Sequence, residues 1–102
     1  MPDPALPGFD AVLEAAARIA PHARVTPVAR SRRLDALAGA ELMFKCEHQQ
    51  RAGAFKFRGA CNAVWSLDAD AAARGVVTHS SGNHGAALAL AARSRDIPCH
   101  VV

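Results

Sequence analysis

An α/β fold is the class this sequence predicts, and three adjacent stretches predict it. Val76-Val77-Thr78-His79 reads as a short apolar strand, Ala86 to about Ser94 as an almost wholly apolar helix, and Ile97 to Val102 as a second strand. Strand, helix and strand within about 27 residues make a βαβ unit, in which the crossover helix renders the strands parallel. Strands that are apolar along their length suit a sheet covered on both faces.

The preceding residues fill in the rest. Residues 1–8 hold three of the six prolines and are expected to form an irregular lead-in. From Phe9, the positions Val12, Leu13, Ala16, Ala17 and Ile19 follow helical spacing, with Asp10 as the expected N-cap and Pro21 as the stop. Arg24 to Val28 is extended or turn-like, because Pro27 disfavours helical geometry at Thr26. Leu34 to Ala38 reads as a short helix closed by Gly39. Glu41 to Glu47 reads as a strand in which Leu42, Phe44 and Cys46 alternate with polar or adaptable positions. A polar loop runs to Gly53, and a helix from Ala54 or Phe55 to about Leu67 follows. A second short helix is expected from Asp70, as N-cap, to Gly75.

The chain has 102 residues, 51% hydrophobic and 21% charged, which fits one small globular unit and excludes a disordered one. The formal net charge is +3, and the ten arginines are scattered, with Arg32-Arg33 the one tight pair. A nucleic-acid binder gathers its charge on one face or arm, so that class is not expected. A pocket for a small anion is compatible with this charge. Cys46, Cys61 and Cys99 are odd in number and widely spaced, which argues for reduced thiols in a cytoplasmic protein and against a disulfide framework. Cys61 and Cys99, among apolar neighbours, are expected in the core. Cysteine and histidine spacing suggests no metal site. No apolar run reaches membrane-spanning length, and the N-terminus lacks the basic start and apolar stretch of a signal peptide.

Two segments carry candidate chemistry. In Gly53-Ala54-Phe55-Lys56-Phe57-Arg58-Gly59-Ala60, one lysine stands between two phenylalanines. Apolar neighbours disfavour an ammonium and release the amine as a nucleophile toward carbonyls. The same pattern also suits a lysine whose stem merely covers apolar surface. The second segment, Ser80-Ser81-Gly82-Asn83-His84-Gly85, joins a strand to the apolar helix. Unpaired N–H groups at the helix start and small residues beside them can receive an anion, at the strand end where α/β ligands bind. The same turn could serve only as a cap.

Taken together, Phe55-Lys56-x-Arg58-Gly59-Ala60 and Ser80-Ser81-Gly82-Asn83-His84-Gly85 resemble the fold-type II pyridoxal 5'-phosphate (PLP) enzymes, of the tryptophan synthase β-like fold, and within them the serine/threonine dehydratase and serine racemase branch. Thr26-Pro27, Lys45-x-Glu47-x-x-Gln50 and Gly75-Val76-Val77 are further matches, so the resemblance runs from about residue 24 to the C-terminus. It implies that Lys56 holds PLP covalently and later takes the substrate α-proton. It implies that Phe55 packs beside the cofactor ring and that Asn83 bonds its phenolic oxygen. Ser81, Gly82, Asn83 and His84 would receive the substrate carboxylate, and Ser81 would be a proton donor or acceptor on the opposite ring face. Arg58 is read as an ion-pair partner and not as a site residue. One departure is Ala54, where the family usually has Ser.

The implied reaction is deaminating dehydration of serine or threonine to a 2-oxo acid and ammonia. Racemisation of serine or another hydroxy amino acid is the alternative, and an inactive, non-catalytic module is a rival of another class. The implied partner is a small amino acid, and a full-length parent would be a homo-oligomer. On this reading residues 1–52 belong to a large domain and residues 53–102 open a small one. The family's Gly-rich phosphate loop and its partner for the pyridine nitrogen have no counterpart here. An apolar strand ending at Val102 leaves an open sheet edge. The expectation is a truncated part of a longer chain that by itself binds PLP poorly.

Overall fold

The computed structural model describes residues 6–102; most of the expected irregular lead-in lies outside them. Helix α1 spans Phe9–Ile19. Its N-cap is the extended Gly8, which offers no side-chain acceptor, so Asp10 is not the cap. Asp10 sits inside the first turn, where its carboxylate meets the positive end of the helix dipole. Ile19 is the buried residue of α1, while Phe9, Val12 and Leu13 are exposed.

Strand β1 (Val28–Ala29) pairs antiparallel with β2 (Phe44–Lys45), placing Val28 opposite Lys45. The strand expected over residues 41–47 is therefore only two residues long. Its partner explains where it stops after Lys45: the Cys46 N–H reaches the Pro27 carbonyl over 2.9 Å, but Pro27 has no N–H to return. Between these strands lies α2 (Arg32–Ala38), capped by Ser31, whose hydroxyl accepts from the Leu34 N–H. Gly39 closes it in the left-handed conformation, φ +65°. After β2 the chain makes two 3-10 turns, Glu47–Gln49 and Arg51–Gly53.

Helix α3 follows at Lys56–Ser66 and α4 at Ala69–Arg74. The α4 cap is Asp68, which accepts from the Ala71 N–H at 2.7 Å, and Asp70 falls in the first turn instead. Strand β3 (Val76–Thr78), helix α5 (Asn83–Ser94) and strand β4 (Cys99–Val101) form the expected βαβ unit, with Val76 opposite Cys99 in a parallel pair. The strands are shorter than their apolar runs, and α5 begins three residues earlier than composition suggested, because Asn83, His84 and Gly85 already adopt the helix. Gly75 enters β3 with φ +79°, and a β-carbon there would stand 2.4 Å from the Pro98 carbonyl oxygen, so the crossing of these segments requires glycine.

The core lies between α3 and α5. Phe57, Ala60, Cys61 and Val64 on one helix meet Ala87, Leu88 and Ala91 on the other, and Ile19 of α1 joins them. Alanines at the contact let the helix axes approach closely. Cys61 is fully buried, Cys99 is partly buried against this core, and Cys46, which composition left unplaced, is buried too. Val76 packs on the core whereas Val77 is 71% exposed, as strand alternation requires. Among the described residues the parallel pair is thus covered on one face, not on both.

Candidate active site

Lys56 is the first residue of α3, and its position depends on the turn before it. Ala52 and Gly53 both take positive φ, 60° and 70°, which reverses the chain ahead of the helix. Ala54 is buried, so the small residue at this position fits the space it has. Phe57 then anchors α3 at 0% exposure, while Phe55 and Lys56 stay exposed on the other side. This alternation explains the Phe-Lys-Phe pattern: one ring belongs to the core, and the other stands beside the amine. The Lys56 ammonium lies 5.3 Å from the Phe55 ring centroid. Among the described residues it has no carboxylate or carbonyl partner. Lys45, by contrast, donates to the Thr26 carbonyl at 2.6 Å.

A cavity of about 370 Å³ opens at this point, lined by Phe55, Lys56, Arg58, Gly59, Ala60 and His84. The lysine segment and the start of α5 therefore meet at one space, although they are far apart in sequence. The volume lies at the lower end of the range for small-molecule sites. An unpaired amine, an exposed aromatic ring and a helix start around one cavity fit a flat, anionic aldehyde such as PLP.

The loop from Ser80 to Gly85 is organised by Ser80, one of the three residues, with Ser81 and Asn83, that the sequence offers as a cap for this turn. The Ser80 hydroxyl accepts from the Gly85 N–H at 3.0 Å and from the Gly82 N–H at 3.3 Å. The Gly82 amide is thereby engaged, whereas the amides of Ser81, Asn83 and His84 have no acceptor among the described residues. α5 has no side-chain cap from its N-cap residue, Gly82. These free N–H groups are the feature that can receive a carboxylate. A β-carbon on Gly85 would lie 3.1 Å from Val101 Cγ1 and 3.2 Å from the Ser80 carbonyl oxygen, so glycine is what lets the helix start so close to the strand ends. Of the residues expected at the site, Phe55, Lys56 and His84 line the cavity. Ser81, Gly82 and Asn83 lie exposed on the adjoining loop and helix start, outside its lining.

Arg58 lines the cavity as well, but its guanidinium is committed. Its Nε donates to Glu47 Oε1 and its Nη2 to Glu47 Oε2 at 3.1 Å. This fork holds the Glu47 carboxyl at about 2, well below its ordinary 4.5; burial opposes the shift and the Thr26 hydroxyl adds to it. The Arg58 guanidinium is raised in turn by the same pair. Burial pushes the Cys61 thiol up, away from reactivity.

Residues 19–102 match the family described as pyridoxal-phosphate dependent enzyme. The chain belongs to that family. Its cofactor is therefore PLP. The chain is 58% identical over 91 residues to a serine racemase of Oryza sativa subsp. indica, covering 89% of this chain and 27% of that protein. It is 55% identical over 97 residues to a beta-hydroxyaspartate dehydratase of Paracoccus denitrificans, covering 95% and 31%. The solved structure of maize serine racemase superposes with a TM-score of 0.88 at 56% identity, covering 91% of this chain and 29% of the other. The chain thus spans about 30% of the length of these relatives. The likeness confirms the α/β, fold-type II assignment that the two motifs implied.

Proposed function

We propose that this chain supplies the lysine and the substrate-anion half of a PLP enzyme acting at the α-carbon of a hydroxy amino acid, with deaminating dehydration to a 2-oxo acid and ammonia as the reaction. The observation that carries the proposal is the shared cavity: Lys56 and His84, from two separate motifs, line the same 370 Å³ space. The cofactor, when bound, withdraws the electrons left behind by α-proton removal. The chain's own residues do the rest. The Lys56 amine, without a competing acceptor among the described residues, is placed to hold the cofactor and then to take the proton. The Phe55 ring, which lines the cavity, would flank the cofactor. Asn83 would be its polar contact, and the amides of Ser81, Asn83 and His84, which have no acceptor among the described residues, would hold the substrate carboxylate, with Gly82 leaving the backbone open. Fixing that carboxylate fixes the face on which the α-proton points.

Racemisation is the second reading, and two observations favour it. Serine racemases are among the relatives that the chain matches, and Ser81 is exposed on the loop adjoining the cavity, where its hydroxyl would be the proton carrier on the face opposite Lys56. Both reactions begin with the same proton transfer. The remaining expectations, a homo-oligomeric full-length enzyme in the cytoplasm with a domain boundary near residues 52 and 53, are part of the same proposal. The test is to assay the enzyme with L-serine, L-threonine and 3-hydroxyaspartate, reading 2-oxo acid release and the handedness of the recovered amino acid. Oxo acid above all supports dehydration, D-amino acid above all supports racemisation, and neither in a PLP-loaded enzyme overturns both.

A further inference from the structure

A polar junction that reaches the first turn of α3 through Arg58 serves none of the roles above. Residues 24–26, 47–51 and 58 meet there. Thr26 and Gln50 are only 4% and 2% exposed. The Thr26 hydroxyl donates to Glu47 Oε2 at 2.5 Å, and Arg58 clasps both Glu47 oxygens and also reaches the Arg24 carbonyl at 3.3 Å. Gln50 completes the junction: its Oε1 accepts from the Arg24 N–H and its Nε2 donates to the Arg24 carbonyl, both at 2.9 Å, and the same Oε1 accepts from the Arg51 N–H.

Stability alone is a poor reason for a charged pair in such a place, since apolar replacements of similar volume are often as stable. The start of α3 suggests a better one. Phe55, its N-cap, makes no side-chain bond. Its first turn is closed by the Phe57 N–H to Ala54 carbonyl contact at 3.4 Å and the Arg58 N–H to Phe55 carbonyl bond at 3.1 Å. The two residues before Ala54 stand in left-handed geometry. A helix start with neither a cap nor a relaxed lead-in needs another anchor, and Arg58 is the side chain of that turn that reaches across to residues 24 and 47.

We propose that Arg58 and Glu47 are positioning residues, which fix the first turn of α3 and with it the direction from which the Lys56 amine enters the cavity. This rests on the reading of Lys56 as the cofactor lysine. The pair acts through Lys56: Arg58 lines the cavity, but its guanidinium is spent on Glu47.

The test uses the full-length enzyme with Glu47→Ala, Glu47→Gln, Arg58→Gln and Arg58→Lys, each studied well below its melting temperature. Two readouts are taken. One is backbone hydrogen exchange at Phe57 and Arg58, compared with Val64 in the buried middle of α3. The other is the rate at which pyridoxal phosphate, trapped with borohydride, labels Lys56. Loss of the anchor should speed exchange of the first-turn amides roughly tenfold with Val64 unchanged. It should slow labelling by a similar factor, and Glu47→Gln, which keeps an acceptor for Arg58, should recover part of both. Uniform exchange along α3, or unchanged exchange and labelling in folded variants, would overturn the proposal. If the unaltered enzyme fails to label at Lys56, the cofactor reading fails, and the exchange pattern still decides whether the pair anchors the turn.

Discussion

The Glu47–Arg58 fork makes a pH dependence that can be worked out in advance. The Glu47 carboxyl is held at about 2 in the folded protein, against an ordinary 4.5. A depressed carboxyl contributes stability that is complete above its unfolded value and is lost as pH falls from 4.5 toward 2. Each unit corresponds to about 1.4 kcal/mol, so the unscreened contribution is roughly 3 kcal/mol. Water reaches the fork, with the Arg58 side chain 35% and the Glu47 side chain 15% exposed. Screening reduces the expected contribution to about 2 kcal/mol. The assay is urea unfolding from pH 6 to 2.5 for the unaltered protein and for Glu47→Gln, which cannot titrate. The difference between the two proteins should be about 2 kcal/mol at pH 6 and should shrink below pH 4.5. A difference that stays constant across that range, or is absent at pH 6, would refute the reasoning.

Three further outcomes follow from the same geometry. Phe57→Ala empties the largest fully buried side chain of the core and should cost about 3–5 kcal/mol in denaturant unfolding. Gly75→Ala places a β-carbon against the Pro98 carbonyl at a φ of +79°, and its thermal midpoint should fall by several degrees or more, as about 2 kcal/mol of strain would produce. Ala52→Gly relieves the left-handed strain at φ 60° and should stabilise the protein by roughly 0.5 kcal/mol, seen as a small rise in midpoint.

Much of this molecule was readable before folding, and the pattern of misses is instructive. The βαβ unit was legible because the apolar runs around Val76–Thr78 and Cys99–Val101 flank the alanine-rich α5, which carries the buried residues of the unit. Lys56 was legible because two flanking phenylalanines and the distant Asn83 segment recur together in one family. The element boundaries failed where polar residues compete for one role. Asp68 and Asp70 both suit an N-cap, and only the reach to the Ala71 N–H decides between them. Asn83 and His84 read as turn residues yet form the first turn of α5. The strand expected over residues 41–47 was cut short at its C-terminal end by the missing N–H of Pro27, across 19 residues of sequence from Cys46. The polar junction could not be read at all. Thr26, Glu47, Gln50 and Arg58 were each noticed, but apart from the Gln50–Arg51 bond their contacts join residues 11 to 34 positions apart. No local pattern records such pairings. Ser80 was one of three candidate caps in its turn, beside Ser81 and Asn83, and only the fold shows which one turns inward to the Gly82 and Gly85 amides.

The most direct test of the account is the site of covalent labelling. The chain has two lysines, Lys45 and Lys56, and they differ in one respect: the Lys45 amine is spent on the Thr26 carbonyl, while that of Lys56 faces the cavity. Incubation of the full-length enzyme with pyridoxal phosphate, borohydride trapping and peptide mass spectrometry should find the pyridoxyl group on Lys56. A label on Lys45, or one shared indifferently between the two, would contradict the assignment on which the proposed chemistry stands.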